Sequence, residues 1–255
     1  MKRIILALLL VTCTTIAQHR VHNNYNKYTM KKKVLFVLTS HNELGDTGKS
    51  TGFHLGEVSH PWKVLVEAGL EIDFVSPKGG KAPVDGFDLE DPINKEFWED
   101  EVYKLKTKNT LKPSEVKVED YNVIYYAGGH GTMWDFADNI ELQTIARKIY
   151  ENKGIVAAIC HGPAALVNIK LNDGKYLVDG KKINSFTDAE EKALGLEKVV
   201  PFLLETILKE RGAKFENSDL WQIHVTNDQR VITGQNPMSA KRVGEAILQE
   251  QIKLK

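Results

Sequence analysis

Short, almost unbroken apolar runs alternate along this chain with stretches whose apolar residues recur at helical spacing. Residues 33–40 (Lys33-Val34-Leu35-Phe36-Val37-Leu38-Thr39-Ser40) carry no polar residue from Val34 to Leu38. That is the pattern of a strand buried on both faces. A polar, glycine-bearing loop over 45–52 follows it. Residues 61–68 predict a short amphipathic helix starting at Pro61, with Gly69 as its C-cap, and 71–76 predict a second strand. A third strand over 120–126 runs into Ala127-Gly128-Gly129-His130-Gly131. A helix over about 139–151 leads to the apolar run 154–159, which stops at Cys160-His161-Gly162-Pro163 before the helix-forming Ala164-Ala165-Leu166-Val167. Strands and helices alternating with short links predict an α/β fold with a mostly parallel, doubly wound sheet.

Residues 77–113 break this rhythm. They carry Gly79-Gly80, Pro83, Pro92, Trp98 and many charges, and they are too long for an ordinary connection. They predict a lid-like insertion with its own helix over 93–105. Beyond Cys160 the pattern predicts a short strand over 180–186, a helix N-cap at Thr187-Asp188, and a helix over 199–209. Short strands around Phe215 and His224-Val225, a strand over 231–234 and a last helix over 239–248 follow. No repeat or low-complexity tract interrupts them.

Composition narrows the classes of function. Lys+Arg and Asp+Glu number 34 each, so there is no electrostatic case for a nucleic-acid partner or an anionic membrane surface. A hydrophobic share of 42% is ordinary for a globular chain, and 255 residues suit one large α/β domain or two small ones. Lys2-Arg3, the apolar run 4–11 and the segment ending Thr15-Ile16-Ala17 have the layout of a signal peptide cleaved after Ala17. The run is too short to span a bilayer. The expectation is therefore export, to a periplasm or out of the cell, with 1–17 removed, 18–29 a flexible lead-in and 30–255 the folded domain. Translation from Met30, just before Lys31-Lys32-Lys33, would instead leave the protein cytoplasmic. Of two cysteines, Cys13 falls in the signal segment, so the mature chain has one thiol and no intrachain disulfide.

That thiol carries the chemistry. An apolar strand that ends in Cys and turns at once into a helix pushes the side chain out over the carboxyl end of the sheet, where open α/β folds bind ligands. The amides of the following helix start are expected to favour the thiolate, and His161 places a base beside it. The turn at Gly128-Gly129 predicts an outward N–H which, with that of His161, would hold a developing oxyanion, and His130 follows in the same turn. His54, Glu57 and His60 recur at every third position. This spacing lacks the His-Glu-x-x-His pattern and any evident downstream ligand, so no metal is assigned. Glu57 alone is expected to reach the thiol, as a carboxylic acid kept protonated by desolvation and by the neighbouring negative charge. A carboxylate within Phe186-Thr187-Asp188-Ala189-Glu190-Glu191 is expected to orient His161, although Asp188 also suits a plain N-cap.

Glu57-Val58-Ser59-His60-Pro61, Ala127-Gly128-Gly129-His130-Gly131-Thr132, Ala157-Ala158-Ile159-Cys160-His161-Gly162-Pro163 and Phe186-Thr187-Asp188, in this order along the chain, resemble the ThiJ/PfpI superfamily. That superfamily is related to class I glutamine amidotransferase domains, and the similarity is to its glyoxalase III and heat-shock-chaperone branch. Ile232-Thr233-Gly234-Gln235-Asn236-Pro237 fits as well, so the resemblance covers about 33–250. It implies a flavodoxin-like three-layer sandwich, usually dimeric. It implies Cys160 as nucleophile, Glu57 as its acid/base partner, His161 as second triad member and Glu191 as the third, with Asp188 and Glu190 as the alternatives. With no synthetase partner domain, amidotransferase activity is disfavoured. The implied activity is a cofactor-independent glyoxalase that turns methylglyoxal-like aldehydes into 2-hydroxy acids such as D-lactate. The alternatives are a deglycase, amidase or peptidase using the same thiol, and a stress-response holdase or redox sensor.

Overall fold

All five residues from Val34 to Leu38 are fully buried, because the strand they form is covered on both faces. The computed structural model describes residues 33–254. The signal segment, the lead-in and the alternative start at Met30 lie outside the described residues. In chain order the elements are β1 (Lys33–Val37), β2 (Phe53–His54), α1 (Leu55–Glu67), β3 (Ile72–Val75), β4 (Val84–Asp85), α2 (Pro92–Glu99), α3 (Glu101–Lys108), β5 (Tyr121–Tyr126) and α4 (Thr132–Asp135). They continue with α5 (Ile140–Glu151), β6 (Ile155–Ile159), β7 (Lys182–Ile183), α6 (Asp188–Ala193), α7 (Leu204–Glu210), β8 (Lys214–Phe215), β9 (Val225–Asp228), β10 (Val231–Gly234) and α8 (Ala240–Lys253).

The main sheet runs β3-β1-β5-β6-β10-β9. Its first five strands are parallel, and only the edge strand β9 is antiparallel. Taken in chain order, those five parallel strands have the 2-1-3-4-5 arrangement of the flavodoxin-like fold. Alternate residues of each strand feed opposite layers. Leu35, Val37, Ile124, Tyr126, Val156 and Ala158 pack with α5 and α7. Val34, Phe36, Val123, Tyr125, Ile155 and Ala157 pack with α1 and α8. Among the described residues no helix is long and apolar enough to cross a membrane.

Several elements differ from the sequence expectation: the helix expected over 199–209 is Leu204–Glu210, the strand expected over 180–186 is only Lys182–Ile183, and three others differ for a clear local reason. The helix expected from Pro61 begins at Leu55, with Pro61 in its interior. Proline has no N–H for the carbonyl four residues back, which is that of Glu57. The Tyr125 hydroxyl donates to that carbonyl instead, at 2.6 Å. The single helix expected over 93–105 is two, because the Asp100 side chain accepts from the amides of Val102 and Tyr103 and starts a new helix there. After Cys160 comes a 3-10 turn, Gly162–Leu166, in place of an α-helix. The 77–113 segment is itself folded. Its Phe97 ring meets Trp62 of α1 edge-on at 5.2 Å, and its Asp85 and Gly86 line the pocket over Cys160.

Candidate active site

Cys160 sits at the carboxyl end of β6 with φ +57, in the left-handed region that a non-glycine residue enters only at a cost. The conformation is held from both sides. The Cys160 amide donates to the Gly234 carbonyl at 2.8 Å, and its own carbonyl accepts from the Phe186 amide at 2.8 Å. The side chain is thereby aimed into a cavity of about 250 Å³ lined by Glu57, Gly129, His130, His161, Phe186 and Trp221, among others. Only 4% of the residue is exposed, so the thiol meets whatever enters that cavity rather than bulk water.

Glu57, on the first turn of α1, is fully buried and lines the same cavity as the Cys160 thiol, close enough for each to shift the other's proton affinity. Its Oε2 accepts the Gly128 amide at 2.8 Å, while Oε1 has no partner among the described residues. Burial pushes its carboxyl up to about 8, against the nearby Cys160 thiol and the bond from the Gly128 amide, which favour the anion. Burial also pushes the Cys160 thiol well up, and the Glu57 carboxylate adds to this, while the His161 amide works the other way. The expectation of a thiolate stabilised by a following helix is thus corrected. A short turn supplies one useful amide, which does not offset the loss of water. Thiol and carboxyl form one coupled acid, and its charge resides on whichever partner gives up its proton.

On the other side of the sulfur, His161 Nδ1 lies 3.3 Å from Sγ and Nε2 lies 2.7 Å from Glu191 Oε2. Glu191 Oε1 meets His130 Nε2 at 2.9 Å, so one carboxylate serves two imidazoles whose ring centroids are 4.0 Å apart. Burial opposes the Glu191 charge, but the bonds from His130 and His161 pull its carboxyl down to about 2. Burial and then His130 lower His161 to about 4, overcoming the opposite pull of Glu191. The neutral ring therefore donates from Nε2 to Glu191 and leaves Nδ1 as acceptor for the thiol proton.

Of the three carboxylates considered for this place, only Glu191 reaches His161. Glu190 is spent on a capping box with Thr187, and Asp188 accepts from the Thr206 hydroxyl on the surface. The Gly128 amide, expected at the oxyanion, is committed to Glu57. The Gly129 amide has no acceptor among the described residues and remains, with that of His161, for a substrate oxygen. Gly128 tolerates no side chain, since a Cβ would stand 2.5 Å from Glu57 Oε2 and 2.9 Å from Cys160 Cβ. His54, Glu57 and His60 do not converge, because His60 pairs with Asp91 at 3.1 Å while Glu57 points inward.

Among the described residues, His130, His161 and Glu191 form the one group compact enough for a metal, with ligand atoms within 4.8 Å of one another. Their hydrogen-bonded separations are tighter than the roughly 3.3 Å between ligands around a tetrahedral ion with bonds of about 2.0 Å. As they stand they make a proton relay. Sequence reasoning missed Tyr125, whose hydroxyl fixes the backbone of Glu57, and Trp221, which walls the cavity. For Tyr125 there was one usable signal: a proline four residues after Glu57 orphans the Glu57 carbonyl. For Trp221 there was none.

A thiol on a strained strand end, between a buried carboxyl and an imidazole, over a flavodoxin-like sheet, is the arrangement that a cysteine-dependent α/β enzyme requires. The chain belongs to the DJ-1/PfpI family, whose model matches residues 49–250. It is similar to Glyoxalase 3 of Candida albicans, 35% identical over 85% of this chain and 97% of that protein. It is 36% identical to the glutathione-independent glyoxalase HSP31 of Saccharomyces cerevisiae, over 82% of this chain and 93% of the other. Among solved structures, the Rapid Encystment Protein 24 KDa of Francisella tularensis superposes with a TM-score of 0.83 at 41% identity, covering 86% of this chain and 98% of that one.

Proposed function

We propose that this protein is a glutathione-independent glyoxalase, adding water to methylglyoxal-like 2-oxoaldehydes to give 2-hydroxy acids, D-lactate from methylglyoxal. The observation that carries the reading is a single thiol with a proton acceptor on each side, Glu57 and His161 Nδ1, facing a small cavity. The names of the two curated relatives support it.

The chemistry follows from the placement. The thiol passes its proton to Glu57 as sulfur bonds to the aldehyde carbon, and the new oxyanion lies against the amides of Gly129 and His161. Once protonated, that adduct is a hemithioacetal. Removal of the proton on its carbon gives an enediol, and return of a proton to the neighbouring carbon gives a 2-hydroxy thioester. Glu57 and His161 are the groups in place for this shuttle. Water then cleaves the C–S bond and restores the thiol. No thiol cofactor enters, because Cys160 does what glutathione would do.

Purified protein is expected to form lactate from methylglyoxal without added glutathione or metal. Absence of lactate, with release of free amine from a glycated peptide, would replace this reading with the deglycase. Glu191→Gln is expected to lower kcat by about 10²-fold, because His161 loses its fixed orientation. A wild-type kcat in that variant would remove Glu191 from the mechanism. We further propose that the chain works as a homodimer in a stress-response setting after export. These points rest on the family resemblance and the N-terminal pattern. Light scattering and N-terminal sequencing of the mature protein test the first and last, and suppression of client aggregation tests a chaperone role.

A further inference from the structure

Trp221 stands between two cavities. The inner one, about 250 Å³, contains Cys160, and the outer, about 750 Å³, shares with it a wall of His54, Gly86, Trp221 and Pro237. The outer cavity presents Phe87, Trp221 and Met238, which are 50%, 39% and 57% exposed. Large side chains left this open beside a reaction chamber are a surface for apolar ligand atoms.

The wall is held in place at a cost. Trp221 has φ +62, a conformation unfavourable for an aromatic residue. Its amide donates to Glu190 Oε1 at 3.0 Å, and the same oxygen accepts from Asn236 Nδ2 at 2.8 Å and Gln235 Nε2 at 3.2 Å. Asn236 leads directly into Pro237 and Met238. One fully buried carboxyl, next in sequence to Glu191, therefore ties Trp221 and the Pro237-Met238 edge to the helix that orients His161. The Trp221 ring rests on Phe186 at 5.6 Å, and Phe186 packs on the His161 ring at 4.4 Å.

We propose that the site takes 2-oxoaldehydes bearing an unbranched alkyl chain, with the dicarbonyl head at Cys160 and the chain led past Trp221 into the outer cavity. Trp221, Phe87 and Met238 are then the residues that set substrate length. The assignment of the head group rests on the glyoxalase reading, whereas the place of the chain rests on the wall that the two cavities share. The occupant is a substrate chain because the apolar surface adjoins, across the Trp221 wall, the chamber that holds the reacting thiol.

The test separates binding from turnover. Full-length Cys160→Ala protein, which forms no covalent adduct through that residue, is titrated calorimetrically with methylglyoxal and with 2-oxooctanal. The longer aldehyde is expected to bind at least about tenfold more tightly, since each buried methylene adds to affinity. Adding Phe87→Ser and Met238→Ser, both at exposed positions, is expected to shrink that preference to about threefold or less. Equal affinities in the parent, or a preference that survives both substitutions, overturns the proposal. The kcat/KM ratio of the two aldehydes on wild type should favour 2-oxooctanal, and a ratio favouring methylglyoxal also overturns it. Long-chain preference in Cys160→Ala, with no turnover of either aldehyde by wild type, rejects the glyoxalase reading and leaves the chain site standing.

Discussion

Cys160→Gly is expected to abolish lactate formation from methylglyoxal and yet to give a more stable protein than Cys160→Ala. Both variants lose the one thiol among the described residues, so turnover should fall by about 10⁴-fold or more in each. They differ at the backbone. Position 160 has φ +57, where alanine clashes with its own peptide unit and glycine does not. Glycine has more freedom to lose on folding, so the net gain over alanine is about 1 kcal/mol, or a Tm higher by about 2–4 °C in a domain of this size. Paired thermal melts of the two variants read it directly. An alanine variant as stable as the glycine variant would mean that the turn stores no strain. The bond from Gly234 and the bond to Phe186 hold the residue in this conformation, and the reward is a sulfur raised over the sheet.

The layers were legible in the sequence because their cause is local. Strands buried on both faces must read as continuous apolar runs, and Val34–Leu38 and Ile155–Ile159 do. Misplaced boundaries came from interactions between distant segments. Pro61 looks like a helix start until Tyr125, on a central strand, is known to satisfy the carbonyl that proline orphans. The choice among Asp188, Glu190 and Glu191 was more readable than it looked. Thr187-Asp188-Ala189-Glu190 is a capping box, which commits Glu190 to the helix start and leaves Asp188 on the first turn. The state of the thiol was not readable, because desolvation depends on what covers a group. A Cys-His-Gly turn suggests an easily ionised sulfur, and the folded environment pushes it the other way.

Glu57→Gln carries the second large effect, on rate and on stability together. The carboxyl has a folded value of about 8 against 4.5 for the free group. Between these values the folded state holds a proton that the unfolded state has released, so the contribution of this carboxyl to stability falls as pH rises. The loss begins above pH 4.5, grows until about pH 8 and then levels off. By pH 8 it is on the order of 4 kcal/mol. Glutamine keeps the shape and an acceptor for the Gly128 amide but does not titrate. The variant should therefore gain on the wild type across this window, which urea midpoints measured from pH 5 to pH 9 would show. Its turnover should drop by about 10² to 10⁴-fold, the usual worth of a placed base. Wild-type kcat/KM should rise about tenfold per pH unit until the coupled thiol–carboxyl acid loses its first proton near pH 8, and the variant should lack that limb. Parallel stability curves for the two proteins would show that Glu57 is not the group titrating in the core. A buried carboxyl with one oxygen unpartnered is poor material for stability. Its retention beside Cys160 makes sense only if it works on the proton of that thiol.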